Sequence, residues 1–293
     1  MQKELLLAIG DERTASYTLR FLEEVFENFC DLKLTLFYVA PRKASWAIDE
    51  QDLVPRGKGY DEMEAHTRTR GVKAVDDALN WIRDIAGCTG NNVETKVVHS
   101  RKGTVRELVD EARSGLYDAL VLGKRAMTWF DGVFENSVCH EMLWQDIDFP
   151  IWICRQPPAR PRHDILLCLD GSEASLRMVD HAGYMLAEEE RHTFTLFHVA
   201  QSYRDRQASA IFESALAQLT ENGVAEERIE MKLVTGGNPV KATIQEAAEG
   251  RYSAVGVGRH CGAAQGRMEA MFPSSVTVRL LRQMKSSALW ISK

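Results

Sequence analysis

Short apolar runs alternate along this chain with stretches in which hydrophobic residues recur every three or four positions. Leu5-Leu6-Leu7-Ala8-Ile9 opens the series. Comparable runs follow at about 34–40, 93–98, 118–122, 150–154, 165–169, 194–200, 229–234, 253–257 and 288–292. Their continuous Leu, Val and Ile content predicts strands buried on both faces. Between them the period becomes helical. Phe21, Leu22, Val25, Phe26 and Phe29 share one face, as do Leu176, Val179, Ala182 and Leu186. The stretch from Asp61 to Ala86 also reads as a helix, with Val72, Val75, Leu79, Trp81 and Ile82 as its apolar side. Strands joined by helical crossovers predict an α/β fold built on doubly wound parallel sheets.

The runs repeat. Leu34-Thr35-Leu36-Phe37-Tyr38-Val39-Ala40 returns as Phe194-Thr195-Leu196-Phe197-His198-Val199-Ala200, 160 residues later. Tyr117-Asp118-Ala119-Leu120-Val121-Leu122-Gly123 returns as Tyr252-Ser253-Ala254-Val255-Gly256-Val257-Gly258 at an offset of 135. Ile151-Trp152-Ile153-Cys154 returns as Leu289-Trp290-Ile291-Ser292 at 138. Preserved order at shifting offsets indicates two related halves of five strands each, the first carrying an extra segment at about 41–80. The expected boundaries are a first domain at 1–156, a linker at 157–163 and a second domain at 164–293. Proline at 157, 158 and 161 predicts an extended, moderately stiff linker. Within the extra segment, Leu53-Val54-Pro55-Arg56-Gly57 reads as an exposed, protease-sensitive loop.

Composition narrows the class. Hydrophobic residues at 45% and charged residues at 27% fit a globular protein. No apolar run has the length of a membrane span, and the opening Leu5–Ile9 run is too short for a secretory leader, so a cytoplasmic location is expected. The six cysteines form no CxxC pair and no regular spacing, which argues for reduced thiols and against a zinc site or a disulfide framework. The adjacent pairs Cys139-His140 and His260-Cys261 diverge around any helix that carries them, so no metal is expected there. Residues 251–293 hold seven Lys/Arg against Glu269 alone, which leaves the rest of the chain at −12. That local basic excess is too small to indicate nucleic-acid binding.

In open sheets of this kind ligands lie beyond the carboxyl ends of the strands, where strand order reverses. In the second half the fourth strand ends in Val257-Gly258 and runs into Arg259-His260-Cys261-Gly262. Ser274 and Ser275 then open a helix through Val276. A glycine-bearing loop and a serine-capped helix start suit an anion, and Arg259, Arg267 and Arg279 add positive charge; an ordinary loop with an ordinary cap is the competing reading. Asp170, at the end of the first strand of this half, either accepts a ribose hydroxyl or shapes an Asp-Gly turn.

Taken together the layout resembles the universal stress protein family in its tandem, two-domain form. The family's opening apolar strand and Asp-Gly-Ser-Glu stand here as Leu166-Leu167-Cys168-Leu169-Asp170-Gly171-Ser172-Glu173, and its second strand as Leu196-Phe197-His198-Val199. ATP-binding members carry Gly, two residues, Gly, nine residues, Gly and then Ser or Thr after the fourth strand. Both halves depart from this. Ala126 and Asn136 replace glycines of the first half, with Trp129, Phe130, Asp131 and Glu135 in its loop; Cys261 and Ser274 replace those of the second.

The resemblance implies a stress-response regulatory protein that holds ATP or another adenine nucleotide in the second half, through Asp170, Val199, Val257, Gly258, Cys261, Gly262, Ser274, Ser275 and Val276, without a metal. It also implies an intramolecular pseudo-dimer through the final strands, where Trp152 and Trp290 stand at matching positions, and leaves a homodimer open. A nucleotide-free interaction scaffold is the alternative. A nucleotide-hydrolysing enzyme would need an intact glycine loop and a placed acid or base; the sequence offers neither, so slow turnover or none is expected.

Overall fold

The structure is a computed structural model that describes residues 2–10, 14–40, 58–123, 138–143, 145, 147–155, 162–200, 207–259 and 275–293, with the backbone alone at 14–16, 58–67, 140, 162 and 275. All ten expected strands form. The chain divides into two compact units, the first comprising Met1–Leu19 and Cys30–Gly123, the second Arg20–Phe29 and Lys124–Lys293. Helix α1 (Thr14–Val25) crosses the division.

In the first unit, β1 (Glu4–Ile9), β2 (Lys33–Ala40), β3 (Val93–His99) and β4 (Ala119–Gly123) form a parallel sheet in the order β3-β2-β1-β4. The central strand β1 is apolar on both faces, and Leu5, Leu6 and Leu7 are fully buried. Helices α2 (Lys58–Asp84) and α3 (Thr104–Gly115) make the crossovers. The buried side of α2 is Gly71, Val75, Ala78 and Ile82 rather than the face expected to include Val72, which is exposed. Gly71 is needed on that side, since a Cβ would stand 2.5 Å from the Tyr38 ring. At 27 residues, α2 is nearly twice as long as its counterpart in the second unit, so part of the extra segment extends a helix. Leu53–Gly57 lies outside the described residues.

The reduced-thiol expectation fails in this unit: Cys30 and Cys88 form a disulfide, with their Cα atoms 5.3 Å apart. Cys30 precedes β2 and Cys88 follows α2. Asn92 ties the two segments further, its side-chain amide donating to the Cys30 carbonyl and its own carbonyl accepting from Leu34 N. Folding brings together two cysteines whose separation of 58 residues carries no local signal.

In the second unit the order is β5-β10-β9-β6-β7-β8, with β5 at Ile151–Cys154, β6 at Arg162–Leu169, β7 at Thr193–Ala200, β8 at Ile229–Thr235, β9 at Tyr252–Gly258 and β10 at Ala288–Ser292. All pairs are parallel except β5 with β10, which run antiparallel and set Trp152 directly opposite Trp290. The remaining helices are α4 (Val138–Met142), α5 (Glu173–Leu186), α6 (Ala208–Glu221), α7 (Pro239–Gly250) and α8 (Ser275–Gln283). The two indoles stack at 4.0 Å between centroids and 4° between planes, both fully buried. Phe26 stacks on Trp152, Phe21 meets both indoles edge-on, and Trp152 Nε1 donates to His181 Nε2 at 2.9 Å. The acceptor role fixes the His181 proton on Nδ1. Arg155, two residues before the expected linker, is buried; its guanidinium donates to the carbonyls of Leu281 and Met284 at the end of α8, a favourable place for a cation.

A matching polar network occurs in each unit. In the first, the Tyr117 hydroxyl donates to Glu111 at 3.0 Å and bonds Thr35, while Lys96 pairs with Glu111 at 2.7 Å. In the second, the Tyr252 hydroxyl lies 2.9 Å from Glu246 and 3.3 Å from Thr195, and Lys232 pairs with Glu246 at 2.5 Å. In both, the tyrosine follows a residue in the left-handed region, Leu116 or Arg251, each with φ 54°. The preceding Gly115 and Gly250 leave room for the ring, because a Cβ at either would stand 2.1 Å from it.

Candidate functional site

Strand β6 lies between β9, which comes later in the chain, and β7, which comes next, so the order of connection reverses at β6. The register brings three strand ends level. Cys168 is opposite both Phe197 and Val257, and Leu169 is opposite His198. Asp170, Val199 and Gly258 therefore emerge side by side at one edge of the sheet, with Val257 buried just beneath. Helix α8 begins at Ser275, followed by the half-exposed Val276 and the buried Thr277. The sequence-predicted residues Cys261, Gly262 and Ser274, together with Arg267, lie outside the described residues, as do Ala126, Asn136 and the aromatic and acidic residues of the corresponding first-half loop.

Asp170 is exposed and shapes the turn. Its Oδ1 accepts from Ser172 N at 3.0 Å and from Ser172 Oγ at 2.5 Å. Gly171 between them sits at φ 81°, a conformation that favours glycine. Ser172 in turn caps α5, its Oγ accepting from Ser175 N at 3.1 Å. The Asp-Gly-Ser-Glu string is thus a turn followed by a helix cap, with the carboxylate left at the strand edge. Sequence reasoning read the turn but missed Ser172, although a serine just ahead of an amphipathic run is a helix-start signal.

Gly258 has a packing reason of its own. A Cβ there would stand 2.3 Å from Ser175 N and 2.4 Å from the Ala174 carbonyl carbon, so the first turn of α5 crosses the end of β9 with no room for a side chain. Overpacking against backbone cannot be relieved by a rotamer change. Gly258→Ala is expected to lower stability by about 2–3 kcal/mol, read as a shifted urea midpoint at unchanged slope. An unaffected midpoint would show that α5 moves aside without penalty.

The basic surround is reduced. Arg259 is buried, its backbone N–H bonding Ser292 O at 2.6 Å and its guanidinium donating to Gln145 O at 3.1 Å. It ties β9 to β10 and to the segment before β5, and so does not extend toward an anion as its position in the sequence suggested. Arg279 is exposed on α8. Behind the edge, His198 Nδ1 donates to Leu169 O at 2.8 Å, the carbonyl being able only to accept. Burial pushes the Cys168 thiol up to about 12, so it is protonated at neutral pH. Among the described residues no group of His, Cys, Asp and Glu is arranged to hold a metal ion, and no helix is long and apolar enough to cross a membrane.

Comparison with known proteins places this edge within a recognised domain. The model of the universal stress protein family matches residues 161–291. Across the whole chain, the fold is similar to that of a universal stress protein from Archaeoglobus fulgidus DSM 4304, with 16% identity, 99% of this chain and 98% of that one covered, and a TM-score of 0.69. A functionally unknown protein from Pseudomonas aeruginosa PAO1 is similar over 100% of this chain and 92% of its own, at 12% identity and a TM-score of 0.56. No curated protein matches the sequence. At such identities the structural likeness speaks for fold alone. The chain thus has the universal stress protein fold along its length, and the match to the universal stress protein family model, over residues 161–291, spans the candidate site.

Proposed function

We propose that the chain is a regulatory binding protein of the universal stress class that holds an adenine nucleotide, ATP or a relative, at the carboxyl edge of β6, β7 and β9. The observation that carries this reading is the convergence of Asp170, Val199 and Gly258 at the reversal of strand order, inside the family domain. The Asp170 carboxylate would accept from a ribose hydroxyl, the backbone at Val199 would meet the base, and the backbone at Gly258 and the start of α8, with Ser275 and Val276, would face the phosphates. Cys261, Gly262 and Ser274 complete the proposed set. Binding rather than turnover fits the chemistry at this edge: Asp170 Oδ1 is engaged by Ser172, and the Cys168 thiol is far from its ionised form.

The same reading takes 1–156 and 164–293 as tandem domains joined by 157–163, held as an intramolecular pseudo-dimer through the strands bearing Trp152 and Trp290, in the cytoplasm. Two observations favour the nucleotide-free scaffold as the second reading: packing alone accounts for Gly258, and Arg259 is turned into the protein.

Native mass spectrometry of the purified chain and calorimetry with ATP and AMP separate the two. A bound nucleotide, weakened at least about tenfold by Asp170→Asn, is expected; this change keeps the oxygen that the turn needs and removes the charge. Absence of nucleotide in both measurements would favour the scaffold.

A further inference from the structure

We propose that β8 is a self-pairing edge through which two copies of this chain associate, antiparallel about a two-fold axis at Met231. Among the described residues β8 hydrogen-bonds only β7. Gly236 N donates to Ala200 O at the end of that ladder, which fixes its parity: Glu230, Lys232 and Val234 turn their backbone groups toward β7, and Ile229, Met231 and Leu233 turn theirs outward. Met231 and Leu233 are half exposed, at 50% and 49%, unusual for large apolar side chains on a strand. They stand on the sheet face opposite Lys232, whose ammonium reaches Glu246 of α7.

Antiparallel self-pairing requires outward groups to meet outward groups, which permits two central registers. Centred on Lys232, the pairing sets lysine against lysine. Centred on Met231, it sets Ile229 against Leu233 of the other copy and Met231 against itself, each pair exchanging both backbone bonds. Glu230 then lies directly opposite Lys232 of the other copy, twice, at the close non-bonded positions where side chains approach most nearly. The apolar row closes on one face and the two ion pairs on the other. A lysine on an edge strand ordinarily guards against such pairing; here the glutamate two residues before it neutralises that guard in one register only.

Sedimentation velocity over a concentration series tests this on the full chain. A monomer–dimer equilibrium is expected. Glu230→Lys should weaken it at least about tenfold by opposing lysines. Met231→Pro should abolish the dimer while leaving the circular dichroism and melting of the monomer intact, because only an outward N–H is lost. A chain monomeric at every concentration, or a dimer indifferent to Glu230→Lys and Met231→Pro, overturns the proposal.

Discussion

Replacing Trp290 with alanine should lower the unfolding free energy by about 3–5 kcal/mol, the range for removing a large aromatic from a close-packed interior. The indole is fully buried, face to face with Trp152 and edge-on to Phe21. Its deletion removes apolar contact from both neighbours and leaves a cavity between β10 and the side chains that cover it, which surrounding backbone can only partly fill. The two indoles are not equivalent, however. Trp152 donates to His181, whereas the buried Trp290 Nε1 has no partner among the described residues. Trp290→Phe therefore discards an unsatisfied donor along with part of the ring and should cost clearly less than Trp152→Phe, which strands the His181 acceptor. Urea titration of the variants checks both the size and the order; equal losses for the two phenylalanine changes would contradict this account.

Reduction of the Cys30–Cys88 bridge is the second large effect. Cross-linking residues 58 apart restricts the unfolded chain, and loop-closure entropy for a loop of that length corresponds to about 4 kcal/mol. The denaturation midpoint should fall in reductant, and Cys88→Ser without reductant should reproduce the reduced protein while losing all further response to it. The buried thiols of Cys139 and Cys154 provide the internal control, since their chemistry is unchanged in both comparisons. An unshifted midpoint on reduction would mean that the other ties between the Cys30 and Asn92 segments suffice. In a reducing compartment the first unit would work with the lower of the two stabilities.

Most of the architecture was legible because central parallel strands buried on both faces leave continuous apolar runs; the expectation of two buried faces fails for β3 and β8, which are half exposed and broken by charged residues. Helix faces were less legible. For α2, Val72 fits the periodic pattern as well as Ala78 does, yet the small residues Gly71 and Ala78 take the inner side because the Tyr38 ring stands close to it. The disulfide left no trace in the spacing, since a pairing over such a separation is a property of the folded chain. At the candidate site, Asp170 was readable as a turn residue from its neighbour Gly171. Gly258 was readable as a glycine of consequence, but its packing reason was not: a Cβ there would meet the first turn of α5. Arg259 misled, as charge can be counted along a sequence while its direction cannot. The Thr–Tyr–Glu–Lys networks needed the fold to be seen, because the four members are scattered over three elements and the turn after one of them in the first unit and over four elements in the second.

The makeup of the second unit bears on how the chain can be divided. Residues 20–29 and β5, both from the first half of the sequence, belong to it, and Trp152 supplies the ring against which Trp290 lies. A fragment beginning at 164 would therefore carry a last strand with a bare edge and an indole stripped of its lid. Such a piece would have to find a substitute strand, and the nearest copy of one is its own. A gene cut at the proline-rich segment is therefore expected to yield a second piece less stable than the same residues in the full chain.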